Sequence, residues 1–377
     1  MRALLCTEYG PVSGLRVADL PEPVAGPGQV VVRVEAAGLN YPDALMVMGK
    51  YQVKPPLPFA PGMELAGTVA AVGAGVQGLR AGDPVMATTT TGAFAEACAV
   101  PAERVLPRPA GLPADLAAAS LLTYGTTMHA LADRGRLRAG ETLLVLGAAG
   151  GVGTAAIELG KLLGARVIAA ASSPEKLEVC RALGADELVN YAAEDLRQRL
   201  KELSGGRGLD VVYDPVGGPM AEVALRALGW DGRFLVIGFA SGEIPRIPLN
   251  LALLNERSLV GVYWGDWSQR RRAESAAQLG RIASAIAAGQ LKPVVTARLR
   301  LEEVPRALGD LVERRAHGKL VVRPSSSSSV VRRRSRMSST LFSILFCSRR
   351  FSSKVGSTGW PAICSRSREA TSSARAK

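Results

Sequence analysis

The sequence predicts an α/β protein in which a doubly wound parallel sheet is inserted into a β-rich domain. An apolar, β-forming run ends in closely spaced glycines and leads directly into a helical pattern, and strand-like and helical segments then alternate as far as residue 265. Eight prolines between positions 21 and 61 break the preceding region into short pieces typical of a β-rich, loop-rich domain. The 377 residues are ample for two domains that share a cleft.

The glycine-rich turn is the most informative stretch of the chain. The buried-strand pattern Leu143–Leu146 is followed by Gly147, Gly150 and Gly153. In such a turn the first glycine lets the chain reverse, the second leaves the backbone open to a pyrophosphate, and the third lets the helix pack closely on the strand. The spacing departs from the usual G-x-G-x-x-G fingerprint, so the turn alone also fits an ordinary loop.

The alternation that follows favours a dinucleotide-binding domain. Short apolar strands that alternate with helices are typical of a parallel sheet buried on both faces. The sequence thus predicts a Rossmann-type domain over residues 122–265. Its predicted strands are Arg166–Ala171, Glu187–Asn190, Leu209–Asp214, Arg233–Gly238 and Ser258–Tyr263, and its predicted helices are Thr154–Leu163, Pro174–Leu183, Glu194–Leu203 and Pro219–Leu228.

The end of the second strand indicates which nicotinamide cofactor fits. NAD-binding domains usually place a carboxylate there for the ribose 2′-hydroxyl, but this strand ends in Ala171 and two serines. Lys176 follows in the next helix, and a cation without a competing acid favours a 2′-phosphate, hence NADPH. Alternatively, Lys176 is a solvated helix residue and Ser173 an N-cap before Pro174, although a cap hydroxyl also suits a phosphate.

Strand patterns also flank this domain on both sides. Gln29–Glu35 and Gly67–Val72 precede it, and a helical stretch at residues 271–288 leads to strand-like pieces at Val294–Leu301 and Lys319–Val322.

Six sequence motifs, which follow one another along the chain, indicate a family resemblance. Over residues 1–324 the chain resembles the zinc-free quinone oxidoreductase branch of the medium-chain dehydrogenase/reductase superfamily. The resemblance implies a GroES-like catalytic domain at residues 1–121 that is completed by residues 266–324, a Rossmann NADPH-binding domain at 122–265, and an active site between them. The matching motifs are AGLNYPD at 37–43, PGMELAG at 61–67, GDPV at 82–85, TYGT at 123–126, AAGGVG at 148–153 and VVYDPVGG at 211–218.

Two of these motifs argue against a metal. The zinc-dependent relatives carry a cysteine in the first and a histidine before the glutamate in the second, where this chain has Asn40 and Met63. Catalytic zinc takes thiolate, imidazole or carboxylate ligands. The two histidines, His129 and His317, lie outside any ligand motif, and the five cysteines form no C-x-x-C pair. We therefore expect no metal and, in the absence of an export signal, a cytoplasmic protein.

The resemblance implies that hydride passes from NADPH to quinones or related conjugated carbonyl electrophiles. We expect Asn40 to donate its amide to the substrate oxygen or the nicotinamide ribose; alternatively it anchors a turn before Pro42. Tyr51 is either a proton donor, as in the related enoyl-thioester reductases, or a wall of the substrate cleft. An enoyl-thioester reductase and a non-catalytic NADPH-binding protein therefore stand as alternative functions.

Further cofactor contacts follow from the resemblance alone. Thr126 would touch the nicotinamide ribose, unless it is simply a buried helix residue, and Phe239 would lie near the nicotinamide. Arg315 would approach the phosphate from the closing segment, although Arg314 beside it leaves this assignment open, and a plain surface pair is the alternative. The remaining expected contacts are Gly150, Gly151 and Val152 with the pyrophosphate, and Lys176 and Tyr191 with the 2′-phosphate.

The composition changes abruptly at residue 325. Residues 325–377 hold 11 of the 46 lysines and arginines and one of the 33 acids, a net +10 within the chain's +13. The rest of the chain is close to neutral, so we expect no specific nucleic-acid partner. The segment predicts a disordered basic tail without catalytic function, or alternatively an arm for polyanions or membrane surfaces. Its apolar run Leu341–Phe346 is too short to span a bilayer.

The family resemblance also implies an assembly. Its members are often dimers that join through an edge of the nucleotide-domain sheet, which places the expected homodimer contact at Ser258–Tyr263.

Overall fold

The structure is a computed structural model that describes residues 1–325. All but the first residue of the predicted basic tail therefore lie outside the described residues.

The first part of the chain is built from short strands and very short helices. Its strands are β1 (Arg2–Leu5), β2 (Arg16–Asp19), β3 (Gln29–Leu39), β4 (Glu64–Val72), β5 (Pro84–Thr88), β6 (Ala97–Pro101) and β7 (Val105–Pro107), and its helices are α1 (Tyr41–Val47) and α2 (Ala114–Ala118). Two 3₁₀ turns, Val12–Gly14 and Ala102–Arg104, complete it.

The nucleotide domain alternates strands with helices, as the sequence predicts. It begins with α3 (Leu121–Met128), which continues into a π-helical turn at His129–Arg134. Its elements then run β8 (Thr142–Leu146), α4 (Gly151–Leu162), β9 (Arg166–Ala171), α5 (Pro174–Ala182), β10 (Glu187–Asn190), α6 (Leu196–Leu203), β11 (Leu209–Asp214), α7 (Pro219–Ala227), β12 (Leu228–Val236), α8 (Asn250–Leu253), a 3₁₀ turn (Leu254–Glu256) and β13 (Ser258–Gly261).

The closing part returns the chain to the first domain. It comprises α9 (Trp264–Arg270), α10 (Arg272–Ala287), β14 (Val295–Leu299), a 3₁₀ turn (Leu301–Glu303), α11 (Val304–Val312) and β15 (Lys319–Val322).

The nucleotide-domain sheet is entirely parallel, with the strand order β10-β9-β8-β11-β12-β13. The residues Leu143–Leu146 of β8 have no exposed surface, which explains why that strand is apolar on both faces. The strand order reverses between β8 and β11, and ligands of doubly wound sheets bind outside the carboxyl ends of the strands at such a switch point. The turn after β8 lies at this point.

The last two strands of the described chain join the catalytic-domain sheet. Its order is β14-β15-β3-β4-β5-β7, and β6 also pairs with β3. The last strand, β15, is antiparallel to β3, with Leu320 opposite Leu39. The residues that follow β3 in the sequence, from Asn40, and those that begin β15, from Lys319, are thereby brought to the same end of the sheet.

Several boundaries differ from the sequence-based expectation. The strand predicted at Arg233–Gly238 begins earlier, at Leu228, with a register irregularity against β11. In the closing part, α9 and α10 precede β14, the first strand that joins the catalytic-domain sheet. The helix α10 packs on α3, because its apolar residues Leu279, Ile282 and Ile286 belong to the core that surrounds β8.

No helix within residues 1–325 combines the length and the apolar character that a membrane crossing requires.

Candidate active site

A large cleft lies over the turn after β8. Its volume is about 1280 Å³, and both domains contribute to its lining. Gly147, Gly150, Gly151 and Val152 come from the turn, and Asn40, Tyr51 and Lys319 come from the catalytic domain.

The turn itself is a cradle made of backbone. Gly147 has a φ of 58°, a left-handed conformation that favours glycine, and a Cβ there would lie 2.8 Å from Val216. Gly150 precedes α4 and has an ordinary φ of −76°. A Cβ on Gly150 would meet only the Gly147 carbonyl, at 3.3 Å, so the space beyond it stays open for a ligand. This shape fits a pyrophosphate at the N-terminus of a 12-residue helix.

Gly153 serves packing, unlike the other glycines of the turn, which line the cleft. It does not line the cleft, and a Cβ there would lie 2.4 Å from the carbonyl oxygen of Gly147 and 2.6 Å from that of Ala148. Its part in cofactor binding is therefore indirect, through the close packing of α4 on β8 that the sequence led us to expect.

The cleft continues past the end of β9. Ser172, Lys176 and Tyr191 line it there. The Lys176 ammonium donates to Ser172 Oγ at 3.2 Å and to the Arg314 carbonyl at 3.1 Å. Ser173 does not line the cleft; its hydroxyl accepts from the Lys176 backbone N–H at 3.4 Å and caps α5. This end of the cleft thus presents a cation and a hydroxyl.

The expected contact from Arg315 is corrected by the structure. The Arg315 guanidinium pairs with Asp310, 2.6 Å away, and also with Glu313, and it does not line the cleft. Arg314 lines the cleft instead. Arg314 has a φ of 58° just after α11, and this left-handed residue reverses the chain, so that neighbouring side chains diverge.

Thr126 and Phe239 also line the cleft. Phe239 belongs to the segment after β12, which is held by the turn that follows β11. There Asp214 accepts the N–H groups of Val216 at 2.8 Å and of Gly217 at 2.9 Å. Burial raises the pKa of Asp214 above its usual value.

A buried polar cluster forms the catalytic-domain wall. Glu64, at the start of β4, is fully buried and accepts the Asn40 amide at 2.9 Å, the Leu122 backbone N–H at 2.9 Å and the Lys319 ammonium at 2.6 Å. Gly38 makes room for it, because a Cβ there would lie 2.3 Å from Glu64 Oε1. A buried ion pair of this kind is tolerated only where hydrogen bonds satisfy its remaining atoms.

Lys319 sets the orientation of Asn40. The Lys319 ammonium also donates to Asn40 Oδ1, and the Asn40 amide nitrogen donates to Glu64 Oε1 and to the Gly38 carbonyl at 3.2 Å. Both amide hydrogens of Asn40 are engaged within the protein, so donation to a substrate oxygen would require one of these bonds to break. The expected turn-anchoring role is visible as well, since the Asn40 N–H donates to Asp43 Oδ2 at 2.8 Å.

Asp43 is fully buried beside this cluster. Burial raises its pKa to about 7; the Asn40 N–H bond and the Lys319 charge act in the opposite direction, and Glu64 raises it further. Its Oδ1 atom has no hydrogen-bond partner within the described residues.

Tyr51 stands in the cleft wall after α1. Burial raises the pKa of its phenol above the usual value, with smaller contributions from Tyr263 and Asp43. The phenol is therefore protonated at neutral pH, as both a proton donor and a cleft wall would require.

Sequence reasoning missed Lys319. It treated Lys319–Val322 only as a strand-like piece, yet Lys319 is 4% exposed and contacts Asn40 and Glu64. The available signal was a lysine at the start of an otherwise apolar strand that is buried throughout. A buried lysine requires a carboxylate partner, which here is Glu64.

The two-domain architecture and the glycine cradle at the switch point define a nicotinamide-nucleotide-binding oxidoreductase class. Residues 26–110 match the alcohol dehydrogenase GroES-like domain, and residues 151–280 match the zinc-binding dehydrogenase family. The mouse (Mus musculus) protein "Quinone oxidoreductase-like protein 2" is 38% identical over 323 residues, which cover 85% of this chain and 91% of the relative.

Two solved structures have the same fold. Escherichia coli quinone oxidoreductase complexed with NADPH is 29% identical, with a TM-score of 0.80 over 86% of this chain and all of that one. A mycobacterial protein complexed with NADPH is 32% identical, with a TM-score of 0.81 over the same shares. This chain belongs to the quinone oxidoreductase branch of the medium-chain dehydrogenase/reductase superfamily.

Proposed function

We propose that this protein is an NADPH-dependent reductase that transfers hydride to quinones or related conjugated carbonyl electrophiles without a metal ion. The observation that carries the proposal is that one cleft is lined by both the glycine cradle and a buried polar cluster. In this cluster the partner of Glu64 and Asn40 is the Lys319 ammonium and not a set of metal donors.

The cofactor preference rests on the end of β9. Lys176 and Ser172 line the cleft where NAD-binding domains place a carboxylate. NADPH is also the ligand named for two structures of the same fold. Lys176, Tyr191 and Arg314 are the side chains that would hold the 2′-phosphate, and Gly150, Gly151 and Val152 would hold the pyrophosphate.

The metal-free part of the proposal rests on donor chemistry. Asn40 and Met63 are poor zinc ligands, and the Lys319 ammonium already neutralises the neighbouring Glu64 carboxylate. Within residues 1–325 no group of three or more histidine, cysteine, aspartate or glutamate side chains could hold a metal ion. This site does not fit zinc, although one of the matching families is described as zinc-binding.

NADPH supplies the hydride, and the protein supplies a cleft with fixed polar groups near the reacting centre. Lys319 holds Asn40 in one orientation, and the two residues form one polar part of the cleft. Oriented polar groups favour an acceptor whose oxygen becomes negative as it is reduced.

The proposal is tested by a screen of electrophiles with the purified full chain. We expect NADPH oxidation with naphthoquinone, little with NADH, and no change after dialysis against EDTA. Lys176→Met is expected to remove most of the preference for NADPH. A requirement for zinc, or faster turnover of secondary alcohols, would show that the assignment is wrong. Tight NADPH binding without turnover of any electrophile would favour the non-catalytic alternative.

A second activity is favoured by the position of Tyr51. Its protonated phenol lines the cleft and could supply the proton that an enoyl-thioester reductase needs. Under that function, Tyr51→Phe lowers turnover of an enoyl-thioester substantially and leaves turnover of naphthoquinone intact. Equal effects on both substrates would instead make Tyr51 a wall of the cleft.

We also propose a homodimer formed through β13. In the described part of the chain this strand pairs only with β12, and it lies at the edge of the parallel sheet. Leu259 on β13 and Leu249 and Leu253 nearby are exposed, by 40%, 76% and 79%. The test is the mass in solution by light scattering: Leu259→Lys should shift a dimer to a monomer, and a monomeric wild-type protein would contradict the proposal.

A further inference from the structure

The lining of the cleft is strongly asymmetric in charge. Six of its residues are lysines or arginines, and Glu103 is its one carboxylate, whereas the chain before the basic tail is nearly neutral. A concave surface lined by charge of one sign concentrates counter-ions of the other sign. The six cations are Lys50, Arg104, Lys176, Arg272, Arg314 and Lys319.

Two of the six cations lie on the cofactor side, a third belongs to the buried cluster, and Lys50 is exposed. Lys176 and Arg314 are joined by a hydrogen bond at the end of β9, and Lys319 is neutralised by Glu64. Arg104 and Arg272 come from other elements, the 3₁₀ turn before β7 and the start of α10, and neither element contributes to the phosphate cradle. Their charge needs a different explanation.

Arg272 forms an ion pair, whereas the structure shows no charged partner for Arg104 among the described residues. Arg272 Nη1 lies 2.5 Å from Glu103, which engages the one carboxylate of the lining. Arg104 is half-buried, and its recorded bond is donation by Nη1 to the Thr90 hydroxyl at 3.3 Å. Among the described residues, no carboxylate oxygen lies within 4.0 Å of the Arg104 guanidinium.

Comparable arginines elsewhere in the fold are better satisfied. Half-buried Arg108, four residues further along the chain, pairs with both carboxylate oxygens of Glu35 at 3.0 and 3.4 Å. Half-buried Arg257 donates to the carbonyls of Leu228, Leu251 and Arg226. Arg104 therefore keeps several donors available in a partly desolvated position, where a charged hydrogen-bond partner counts most.

Arg104 is also connected to the reacting end of the cleft. The segment Thr88–Thr90 lines the cleft between them, and the Thr89 N–H donates to the Met63 carbonyl at 2.8 Å. Met63 directly precedes Glu64 of the buried cluster. A molecule that reaches from this cluster along Thr88–Thr90 would bring its far end to Arg104.

We propose that the electrophile reduced by this protein carries an anionic group, a carboxylate or a phosphate, and that Arg104 binds it. This proposal rests on the reductase function proposed above and names the class of its substrate. The reducible conjugated carbonyl lies at the Asn40–Lys319 end, and the anion lies against the Arg104 guanidinium and the Thr90 hydroxyl.

The kinetic test compares naphthoquinone with a naphthoquinone that bears a carboxylate on its distant ring. Arg104→Leu should lower kcat/KM for the carboxylate substrate by about 10- to 100-fold, the range expected for a charge-assisted hydrogen bond. It should leave kcat/KM for naphthoquinone within about twofold, and Arg104→Lys should restore part of the loss. Arg108→Leu, which removes a nearby arginine that is already paired, is the matched control and should affect both substrates equally.

A binding test needs no turnover and so separates this proposal from the reductase function. Calorimetry on the NADPH-loaded protein would compare naphthoate, naphthyl phosphate and neutral acetylnaphthalene. We expect at least one of the two anions to bind more tightly than acetylnaphthalene, and Arg104→Leu to abolish that difference; the tighter anion identifies the group. Equal binding of all three probes, or weaker NADPH binding in Arg104→Leu, would overturn the proposal. Anion binding without turnover would instead overturn the reductase function alone.

Discussion

The two walls of the cleft are built from different materials. The phosphate wall is made of backbone, where Gly147 turns the chain and Gly150 leaves the space above it open. The catalytic-domain wall is made of side chains, in which Asn40, Glu64 and Lys319 hold one another in place. The phosphate wall is encoded within seven consecutive residues, 147–153. The catalytic-domain wall needs Asn40 and Lys319, which are 279 positions apart in the sequence.

This difference teaches where each wall is vulnerable. A backbone cradle loses its ligand when a side chain is added, and the fold need not suffer. A side-chain cluster loses stability when one member is removed, because the others remain buried without their partner. Substitutions on the two walls should therefore separate cofactor affinity from stability.

The largest effect is expected on the phosphate wall. Gly150→Asp places a carboxylate in the space above the cradle, and its φ of −76° is accessible to aspartate. We expect NADPH affinity, measured by fluorescence titration, to fall more than about 100-fold through steric exclusion and charge repulsion. The melting temperature should change little.

The matched control is Gly14→Asp, which adds the same charge at an exposed glycine with open space around it. It should leave NADPH affinity unchanged. A Gly150→Asp protein that still bound NADPH like the wild type would place the phosphates elsewhere.

On the catalytic-domain wall the main expected effect is on stability. Lys319→Met leaves Glu64 charged and fully buried without its cation, which should lower the free energy of unfolding by about 3–5 kcal/mol in urea titrations. NADPH affinity should fall far less than in Gly150→Asp.

The double variant Lys319→Met/Glu64→Gln removes both charges and keeps an acceptor for the Leu122 N–H. It should regain most of the lost stability. If it were as unstable as Lys319→Met alone, the buried charge would not be the cause.

The most gradual expected effect is a pH dependence from Asp43. Its pKa is about 7 in the fold, against an ordinary value of 3.8 for aspartate, so the folded state binds the proton more tightly over this interval. The free energy of unfolding should therefore decrease as the pH rises from 4 to 7, by about 1.4 kcal/mol per pH unit at most, and level off above pH 7.

Asp43→Asn removes this titration while keeping the shape of the side chain. The difference between the two proteins, measured by urea unfolding at several pH values, should grow between pH 4 and pH 7 in favour of Asp43→Asn. Parallel curves would mean that Asp43 stays ionised in the fold.

The same contrast explains what the sequence could predict. The strand–turn–helix at β8 was predictable because its requirements are local: apolar residues, then glycines where a Cβ would collide or block a ligand. Lys319 was not, because its contacts depend on the pairing of β15 with β3. Arg314 and Arg315 could not be told apart, because the left-handed conformation of Arg314 decides which one faces the cleft.

Which domain the start of the closing part packs against was equally hard to predict. Its helix α10 reads as an amphipathic segment that could cover either domain, and only the packing of Leu279 and Ile282 around β8 shows which one it covers.

The position of β15 has a consequence for how the protein is made. The Gly318 N–H donates to the Ala149 carbonyl at 2.8 Å, and Lys319 completes the partners of Asn40 and Glu64. A ribosome translates Asn40 early, but the strand that secures it emerges only after some 280 further residues. During synthesis the nucleotide domain has all its strands before the catalytic domain has its own, so the active site is among the last parts of the molecule to assemble.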